Sequence, residues 1–294
     1  MSQDEPENGS VLSKAKTTVE VLAAVVKVAG DSEDVRAAGK ELGKTALTVT
    51  KLINNALLPL AAFNYGVDKA KRYFEERFPG EMAEKIKNVP QDQLKEPKAS
   101  MAAPVLQGLG FAHEDPALKD MYLGLLACAM DKRRVTQAHP AYAEIIRQLS
   151  PEEVVALTTV LTGKVAFPIV NIQLVDKRTG GGTYLYRHLV DARDSHDMSK
   201  RIEDSQMPAH IENWIRLGLI EVSYIRWFTD DAHYKPFDDR PELIRARSQE
   251  SESQKINVEK GMLERTHFGK QFAEAVSMFD QKAIEVSATS KEIS

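Results

Sequence analysis

A change in the spacing of apolar residues near Gly163 constrains the fold of this chain more than any other feature. From 104 to 161, apolar residues recur three or four positions apart, which is the spacing of one helix face. From 166 to 175 the sequence reads AFPIVNIQLV, a short, β-branched and partly alternating run that is typical of a strand. The sequence therefore predicts a mainly α protein in which a helical bundle precedes a small α+β module.

Two helix starts are marked clearly in the central region. Asp115-Pro116 places a capping side chain before a proline at the first helical position and predicts a helix to residue 130. Ser150-Pro151 does the same, and Glu153 adds the acid of a capping box, which predicts a helix to residue 161.

Helical patterns also fill the first third of the chain, where Ser32 is the predicted N-cap of the second helix. Prolines at 90, 97 and 104 then predict a short helix followed by an extended linker over 88–104, and a short helix over 104–110. The predicted N-terminal helices cover residues 11–28, 33–58 and 61–78.

The C-terminal part predicts a winged-helix-like arrangement. Residues 183–190 are expected to pair back onto 166–175 across a glycine-rich turn, and a helix over 183–190 is the alternative. The charged segment 229–261 is expected to be a long, flexible insertion, the wing of the module. The other elements are a helix over 208–217 stopped by Gly218, strands over 219–228 and 262–265, and a final helix over 266–279.

These patterns predict a division of the chain into five segments. They are an acidic tail over 1–12, an N-terminal helical region over 13–100, a central helical bundle over 101–165, the winged-helix-like α+β module over 166–280, and a tail over 281–294.

Composition excludes several classes of protein. Asp and Glu number 43 against 39 Lys and Arg, a net charge of -4, which argues against a general nucleic-acid binder. The single cysteine excludes an internal disulfide and CxxC motifs, and it fits a reducing cytoplasm. The first ten residues lack the basic start and apolar middle of a signal peptide, and no uninterrupted apolar run reaches about 18 residues. We expect a cytoplasmic protein.

Three features resemble functional motifs but do not predict a catalytic, nucleotide-binding or metal site. The run 39–45, GKELGKT, is one residue short of a P-loop and follows no apolar strand. The run 194–197, DSHD, contains the letters of a hydrolase triad, but neighbours in sequence usually point apart and no GxSxG elbow is present. The seven histidines lack metal-ligand spacing. We therefore expect no catalytic, cofactor-binding or metal-binding residues, no cofactor and no enzymatic activity.

Two further features of the central helix are interpreted structurally. Cys128 falls on an apolar helix face and is expected to be a buried small side chain rather than a nucleophile. Lys132-Arg133-Arg134 stands at the helix end, where cations oppose the negative end of the helix dipole. A contact with phosphate or an acidic partner is the alternative for this basic run.

Two pairs of sequence runs carry a family resemblance. The first pair is LKDMYLGLLACAMD at 118–131 with HPAYAEIIRQLSPEE at 139–153, and the second is WIRLGLIE at 214–221 with THFGKQFA at 266–273. Together they resemble the abortive-infection alpha (Abi-alpha) family over about residues 50–279. The resemblance implies a role in bacterial defence against bacteriophage and brings no catalytic mechanism. Its signature positions are packing and helix-start residues, so they predict a scaffold rather than a site.

Three functional hypotheses remain open on this basis. The first is a non-enzymatic phage-defence protein that contacts an unknown protein partner and has no small-molecule substrate. The second is a membrane-active toxin in which segment 45–78 makes conditional contact with the inner membrane, because the apolar run 52–63 has basic flanks. The third is a winged-helix-like DNA-binding regulator, although Glu212 and the acidic insertion would repel phosphate.

Overall fold

A computed structural model of the protein describes residues 67–191 and 205–278. The predicted helices before residue 67, the glycine run 39–45, the apolar run 52–63, the DSHD run 194–197 and the tails lie outside these described residues. The chain divides into two compact units. Unit 1 is Met1–Val154 with Glu274–Ser294, and unit 2 is Val155–Ala273. The five-segment division expected from the sequence stays a prediction.

Within its described residues, unit 1 is built of helices. They are α1 (Val67–Glu76), α2 (Phe78–Ile86), α3 (Ala99–Ala112), α4 (Pro116–Met130) and α5 (Ala141–Ile146). Helix α4 is the centre of the unit, because every residue from Met121 to Met130 is buried. Asp115 caps α4 as predicted, since its Oδ1 accepts the amides of Ala117 at 3.1 Å and Leu118 at 3.0 Å.

Helix α3 corrects the predicted extended linker. It begins at Ala99 and contains Pro104, where the sequence predicted an extended chain up to residue 104 and a helix only from there. A proline one turn into a helix removes the single hydrogen bond that its own amide would donate. Buried Val105, Leu106 and Leu109 then offset that loss by packing.

The helix predicted from Pro151 forms as α6 (Pro151–Thr162); its residues up to Val154 belong to unit 1, and those from Val155 belong to unit 2. Only half of its predicted capping box is present. The Ser150 amide donates to Glu153 Oε1 at 2.7 Å, whereas the buried Ser150 Oγ has no hydrogen-bond partner among the described residues.

Unit 2 contains an antiparallel four-stranded sheet with the order β2-β1-β4-β3. Its first hairpin and the helix that follows confirm the sequence predictions closely. Gly218, with φ +73, lies in the left-handed region that favours glycine and follows the end of α7 as predicted. The elements are β1 (Ala166–Asp176), β2 (Gly182–Leu189), α7 (Met207–Arg216), β3 (Ile220–Ser223), α8 (Pro241–Arg247), β4 (Gln254–Arg265) and α9 (His267–Ala275).

The predicted flexible insertion over 229–261 is instead structured. It contains two 3-10 turns, helix α8 and most of β4. Its apolar residues, which stand singly among charges in the sequence, form a core with one face of the sheet. That core consists of Tyr234, Phe237, Leu243 and Ala246 with Val170, Ile172 and Leu189. The short strand predicted at 262–265 is accordingly the end of the twelve-residue β4.

Strand β3 is shorter than the predicted 219–228. It ends at Ser223, whose Oγ accepts the amides of Ile225 at 3.3 Å and Arg226 at 3.2 Å. A serine side chain that binds the following amides turns the chain out of the ladder. Residues 224–228 therefore leave the sheet as a separate segment.

Candidate interaction surface

A β-bulge in β2 is the first feature that shapes the open face of the sheet. Val170 pairs with Leu189 and Ile172 with Tyr186, so β2 uses one more residue than β1 between these pairs. His188 lies in this bulge with φ 54, and its amide donates to Oδ1 of Asn171 at 3.0 Å. The buried Asn171 side chain thus satisfies a backbone amide that the irregular ladder leaves unpaired.

The ring of His188 joins β2 to the end of β3 and to α7. Its Nδ1 lies 3.0 Å from the Tyr224 hydroxyl, and its Nε2 lies 3.0 Å from Glu212 Oε1. Because a carboxylate only accepts, the ring donates from Nε2 to Glu212, and its Nδ1 forms a hydrogen bond with the Tyr224 hydroxyl. Burial, together with the charge of Glu259, raises the pKa of Tyr224.

Glu259 is, after His188, the second side chain on this face of the sheet that forms several hydrogen bonds. Its Oε2 accepts from Asn171 Nδ2 at 2.8 Å, from Gln173 Nε2 at 3.3 Å and from the Tyr184 hydroxyl at 3.3 Å. All three donors are neutral, and they come from β1 and β2. We name the whole group the sheet network; it comprises Asn171, Gln173, Tyr184, His188, Glu212, Tyr224 and Glu259.

The Tyr224 ring lies directly over Gly261 of β4. A Cβ at position 261 would stand 2.6 Å from Tyr224 Cδ1 and 2.7 Å from the Ser223 carbonyl oxygen. Only glycine permits this approach without movement of the backbone. Tyr224 is therefore held at two places: its hydroxyl binds the His188 ring, and its own ring packs against the backbone of β4.

In residues 224–228, which we name the anchored segment, side chains that bind other groups of unit 2 alternate with apolar side chains that face solvent; the bound Arg226 is itself 55% exposed. Tyr224 is fixed by the sheet network. Arg226 Nη2 lies 2.5 Å from Glu264 Oε2 and 3.3 Å from Glu221 Oε1. Phe228 packs against the unit 2 core, and its amide donates to the Tyr234 hydroxyl at 3.0 Å.

The two intervening side chains of the anchored segment face solvent. Ile225 is 89% exposed and Trp227 is 52% exposed. An exposed apolar pair on a fixed backbone loses little conformational entropy when it binds, which is the property of an interface hot spot. The arrangement is thus suited to contact with another molecule.

A family model described as abortive infection alpha matches residues 70–276, which is more than half of the chain. The chain belongs to the abortive infection alpha family. The resemblance drawn from the sequence is confirmed, and at family level it indicates phage defence by abortive infection.

Among solved structures, this chain is similar to an uncharacterized protein from the hydrocarbon-degrading marine bacterium Alcanivorax borkumensis SK2. The two share 15% sequence identity with a TM-score of 0.31, over 50% of this chain and 96% of that chain. No curated protein matches the chain.

The signature residues of the family pack as predicted from the sequence. They are all buried in unit 1: Leu125, Leu126, Met130, Tyr142, Ile146 and Leu149. Cys128 is also buried, with its Sγ 3.4 Å from the Arg134 carbonyl oxygen, and burial raises the pKa of its thiol. The prediction of a buried cysteine is confirmed.

The basic run after α4 binds groups of unit 1. Arg133 lies 2.7 Å from Asp131 through Nη2, and Arg134 donates to the Glu274 carbonyl oxygen at 2.5 Å. Lys132 donates to the Asp92 carbonyl oxygen at 2.6 Å. Asp131, the last letter of the LLACAMD signature, is 2% exposed, and its hydrogen bonds from Arg133 hold its pKa below the usual range. Lys132, Arg133 and Arg134 therefore have a structural role, and it depends on these specific contacts rather than on the helix dipole alone.

Neither the sheet network nor the anchored segment was predicted from the sequence. The signal for the anchored segment is the alternation in YIRWF at 224–228, which was interpreted as part of a strand. Of the histidines, the structure assigns a connecting role to His188, although spacing alone did not distinguish it. Within 67–191 and 205–278, no group of three or more His, Cys, Asp or Glu side chains is arranged to hold a metal ion.

Proposed function

We propose that this chain is a non-enzymatic phage-defence protein of the cytoplasm that acts by binding a protein partner through the anchored segment. The observation that carries the proposal is the alternation in which Tyr224, Arg226 and Phe228 are fixed while Ile225 and Trp227 are exposed. Large exposed apolar side chains on a rigid support mark interaction sites.

The contacts of the sheet network support a positioning role over catalysis. Both nitrogens of His188 are engaged, and Glu259 Oε2 already accepts three hydrogen bonds. A general base needs a free lone pair within reach of a substrate proton. In this arrangement both ring nitrogens of His188 are occupied, and the ring helps to fix Tyr224.

A protein partner is also better supported than membrane insertion of segment 45–78. The described end of this segment lies in the core of unit 1, where Ala70, Tyr73, Phe74 and Phe78 are buried. Insertion would require these side chains to leave that core. Among the described residues, no helix combines the length and the apolar character needed to cross a membrane.

The order α7, β3, β4 and α9 is compatible with the winged-helix-like module, and we retain that description as part of the proposal. DNA binding is less well supported. On α7, Glu212 lies against His188, and Arg216 donates to Asn213 Oδ1 at 2.6 Å. An acidic side chain on the helix that would read a groove repels phosphate.

A plaque assay tests the proposed function. We expect the wild-type protein to lower the plaque count of a susceptible phage, and the double variant Ile225→Ser, Trp227→Ser to lose that protection. Removal of a hot-spot pair weakens binding by at least about 2 kcal/mol, or roughly 30-fold.

The matched control is the double variant Val165→Ser, Ile244→Ser. These side chains are also in unit 2 and are 63% and 60% exposed, so the control removes similar apolar surface elsewhere. The control should protect as well as the wild type. Full protection by Ile225→Ser, Trp227→Ser would overturn the proposal.

A further inference from the structure

The charges around the anchored segment indicate which kind of partner it takes. Arg226, which stands between Ile225 and Trp227 in the chain, is ion-paired with Glu221 and Glu264. After the segment, the 3-10 turn that begins at Asp231 packs back on it, because the His233 ring lies 4.4 Å from the Phe228 ring. Asp230 caps that turn, and Asp231 is its first residue.

We name the exposed carboxylates of this region, Glu221, Asp230 and Asp231, the acidic rim; Glu264 is not part of it because its side chain is only 18% exposed. Two cations reach the rim: Arg226, whose Nη2 is 3.3 Å from Glu221 Oε1, and Lys260, whose Nζ is 2.7 Å from Asp231 Oδ1. Three carboxylates against two cations leave the rim acidic. The stretch 221–239 as a whole has five acidic and two basic residues.

We infer that the partner bound by the anchored segment is a protein face in which lysine or arginine side chains surround an apolar pocket. This inference rests on the proposed function and adds the chemistry of the partner. Ile225 and Trp227 would enter the pocket, and the basic side chains would meet the acidic rim. Complementary charge around an apolar centre selects the partner and accelerates its association.

The same rim disfavours the other occupants of this surface. Phosphates of nucleic acid and the headgroups of an anionic membrane carry the charge of the rim and are repelled by it. A second copy of the chain would bring an identical acidic rim against the first, since a twofold interface places the same patch on both subunits. Neither occupant gains from the three carboxylates of the acidic rim.

Photocrosslinking in phage-infected cells tests this inference. The full-length protein carries Ile225→p-benzoylphenylalanine, and the peptide linked to it is identified by mass spectrometry. We expect a linked peptide from another protein with lysine or arginine beside the linked position. In lysate, raising the salt from about 50 to about 300 mM should lower the yield of the adduct at least about threefold, because salt screens exposed charges.

A rim variant supplies the decisive comparison. Glu221→Gln, Asp230→Asn and Asp231→Asn remove three charges and leave the apolar pair, and Asn keeps the capping ability of Asp230. The matched control, Glu75→Gln, Glu76→Gln and Glu152→Gln, removes three exposed charges from unit 1. We expect the rim variant to lose most of the adduct and the control to keep it.

Other outcomes overturn the inference. They are an adduct between two copies of the chain, an acidic linked peptide, an unchanged yield in the rim variant, and flotation of the protein with phosphatidylglycerol vesicles. An unchanged yield would reject the basic partner and leave the proposed function standing. Absence of an adduct also rejects the basic partner. If Ile225→Ser, Trp227→Ser then still protects cells, the proposed function fails as well.

Discussion

Glu81 in unit 1 and Glu259 in unit 2 each accept three hydrogen bonds, and the two carboxylates differ in the charge of their donors. In unit 1, Glu81 of α2 accepts from the Tyr73 hydroxyl at 2.9 Å, Arg77 Nη2 at 2.9 Å and Lys119 Nζ at 2.8 Å. In unit 2, Glu259 accepts only from amides and a phenol. The first arrangement joins helices through ion pairs, and the second joins strands through neutral donors.

The charged donors of Glu81 make the stability of unit 1 sensitive to acid. Burial raises the pKa of Glu81, but hydrogen bonds from Lys119 and Tyr73 and the charges of Lys119 and Arg77 lower it overall. A carboxyl whose folded pKa is depressed stabilises the fold above its unfolded pKa of about 4.5, and this stabilisation is lost as the pH falls through the folded pKa. Unit 1 therefore contains an acid-sensitive linkage at Glu81.

The chain carries a separate reporter for each unit. Its single cysteine, Cys128, is in unit 1, and both tryptophans, Trp214 and Trp227, are in unit 2. Cys128 and Trp214 are buried. Thiol labelling of Cys128 thus follows the opening of unit 1, and the emission of Trp214 follows the opening of unit 2.

Gly261→Leu should produce the largest effect, and it should disturb unit 2 alone. The new side chain would enter the space of the Tyr224 ring and the Ser223 carbonyl oxygen. Overpacking of this kind costs about 1–3 kcal/mol. We expect a lower Tm by tryptophan emission and lost plaque protection, with little change in Cys128 labelling. Unchanged protection would contradict the positioning role of Tyr224.

Asn171→Ala tests the group of hydrogen bonds around Glu259, whose donors are all neutral. It removes the acceptor of the buried His188 amide and one donor to Glu259. A buried polar group left without its partner costs about 1–3 kcal/mol, which denaturant unfolding monitored by tryptophan emission would measure. Asn257→Ala is the control on the same face, because Asn257 donates only a long hydrogen bond of 3.4 Å to Gln173. Equal losses in both variants would show that the bulge does not depend on Asn171.

Sequence patterns predicted the helices and strands of both units better than they predicted the hydrogen-bond groups around Glu81 and Glu259. Capping at Asp115, the hairpin of β1 with β2, and helix α7 follow from local spacing, and they formed as expected. Tyr234 and Phe237 stand among charges in the sequence and are buried only because β1 and β4 provide a face for them. Local composition therefore predicted flexibility where tertiary packing gives order.

The candidate site was harder to predict because it depends on register. Asn171 meets Glu259 only in the pairing of β1 with β4, and His188 turns toward Tyr224 only because β2 is bulged. A change of register by one residue would place these side chains on the other face of the sheet. No spacing rule in the sequence carries that information.

Glu81→Gln should have a moderate effect that depends on pH. At about pH 7 the variant leaves the ammonium of Lys119 with a weaker acceptor, and we expect a loss of about 1–2 kcal/mol by Cys128 labelling. The wild type should lose this advantage as the pH falls below about 4.5, so the two proteins should converge. Because a thiol does not react at that pH, denaturant unfolding followed by far-ultraviolet circular dichroism makes the comparison there. Glu259→Gln is the matched variant in unit 2. A pH-independent difference between wild type and Glu81→Gln would reject the linkage.

Arg226→Ala should have the smallest effect on stability, and it separates anchoring from folding. Arg226 is 55% exposed, as Arg77 of unit 1 is 60% exposed, and each pairs with carboxylates across a partly solvated surface. Such pairs contribute about 0–1 kcal/mol, so Arg226→Ala and Arg77→Ala should both unfold close to the wild-type Tm.

The two variants should differ in plaque protection. Arg226→Ala frees the centre of the anchored segment, which raises the entropic cost of presenting Ile225 and Trp227 to a partner. Plaque protection should therefore fall in Arg226→Ala and persist in Arg77→Ala; if both variants protect equally, the fixed backbone of the segment is not what makes it an interaction surface.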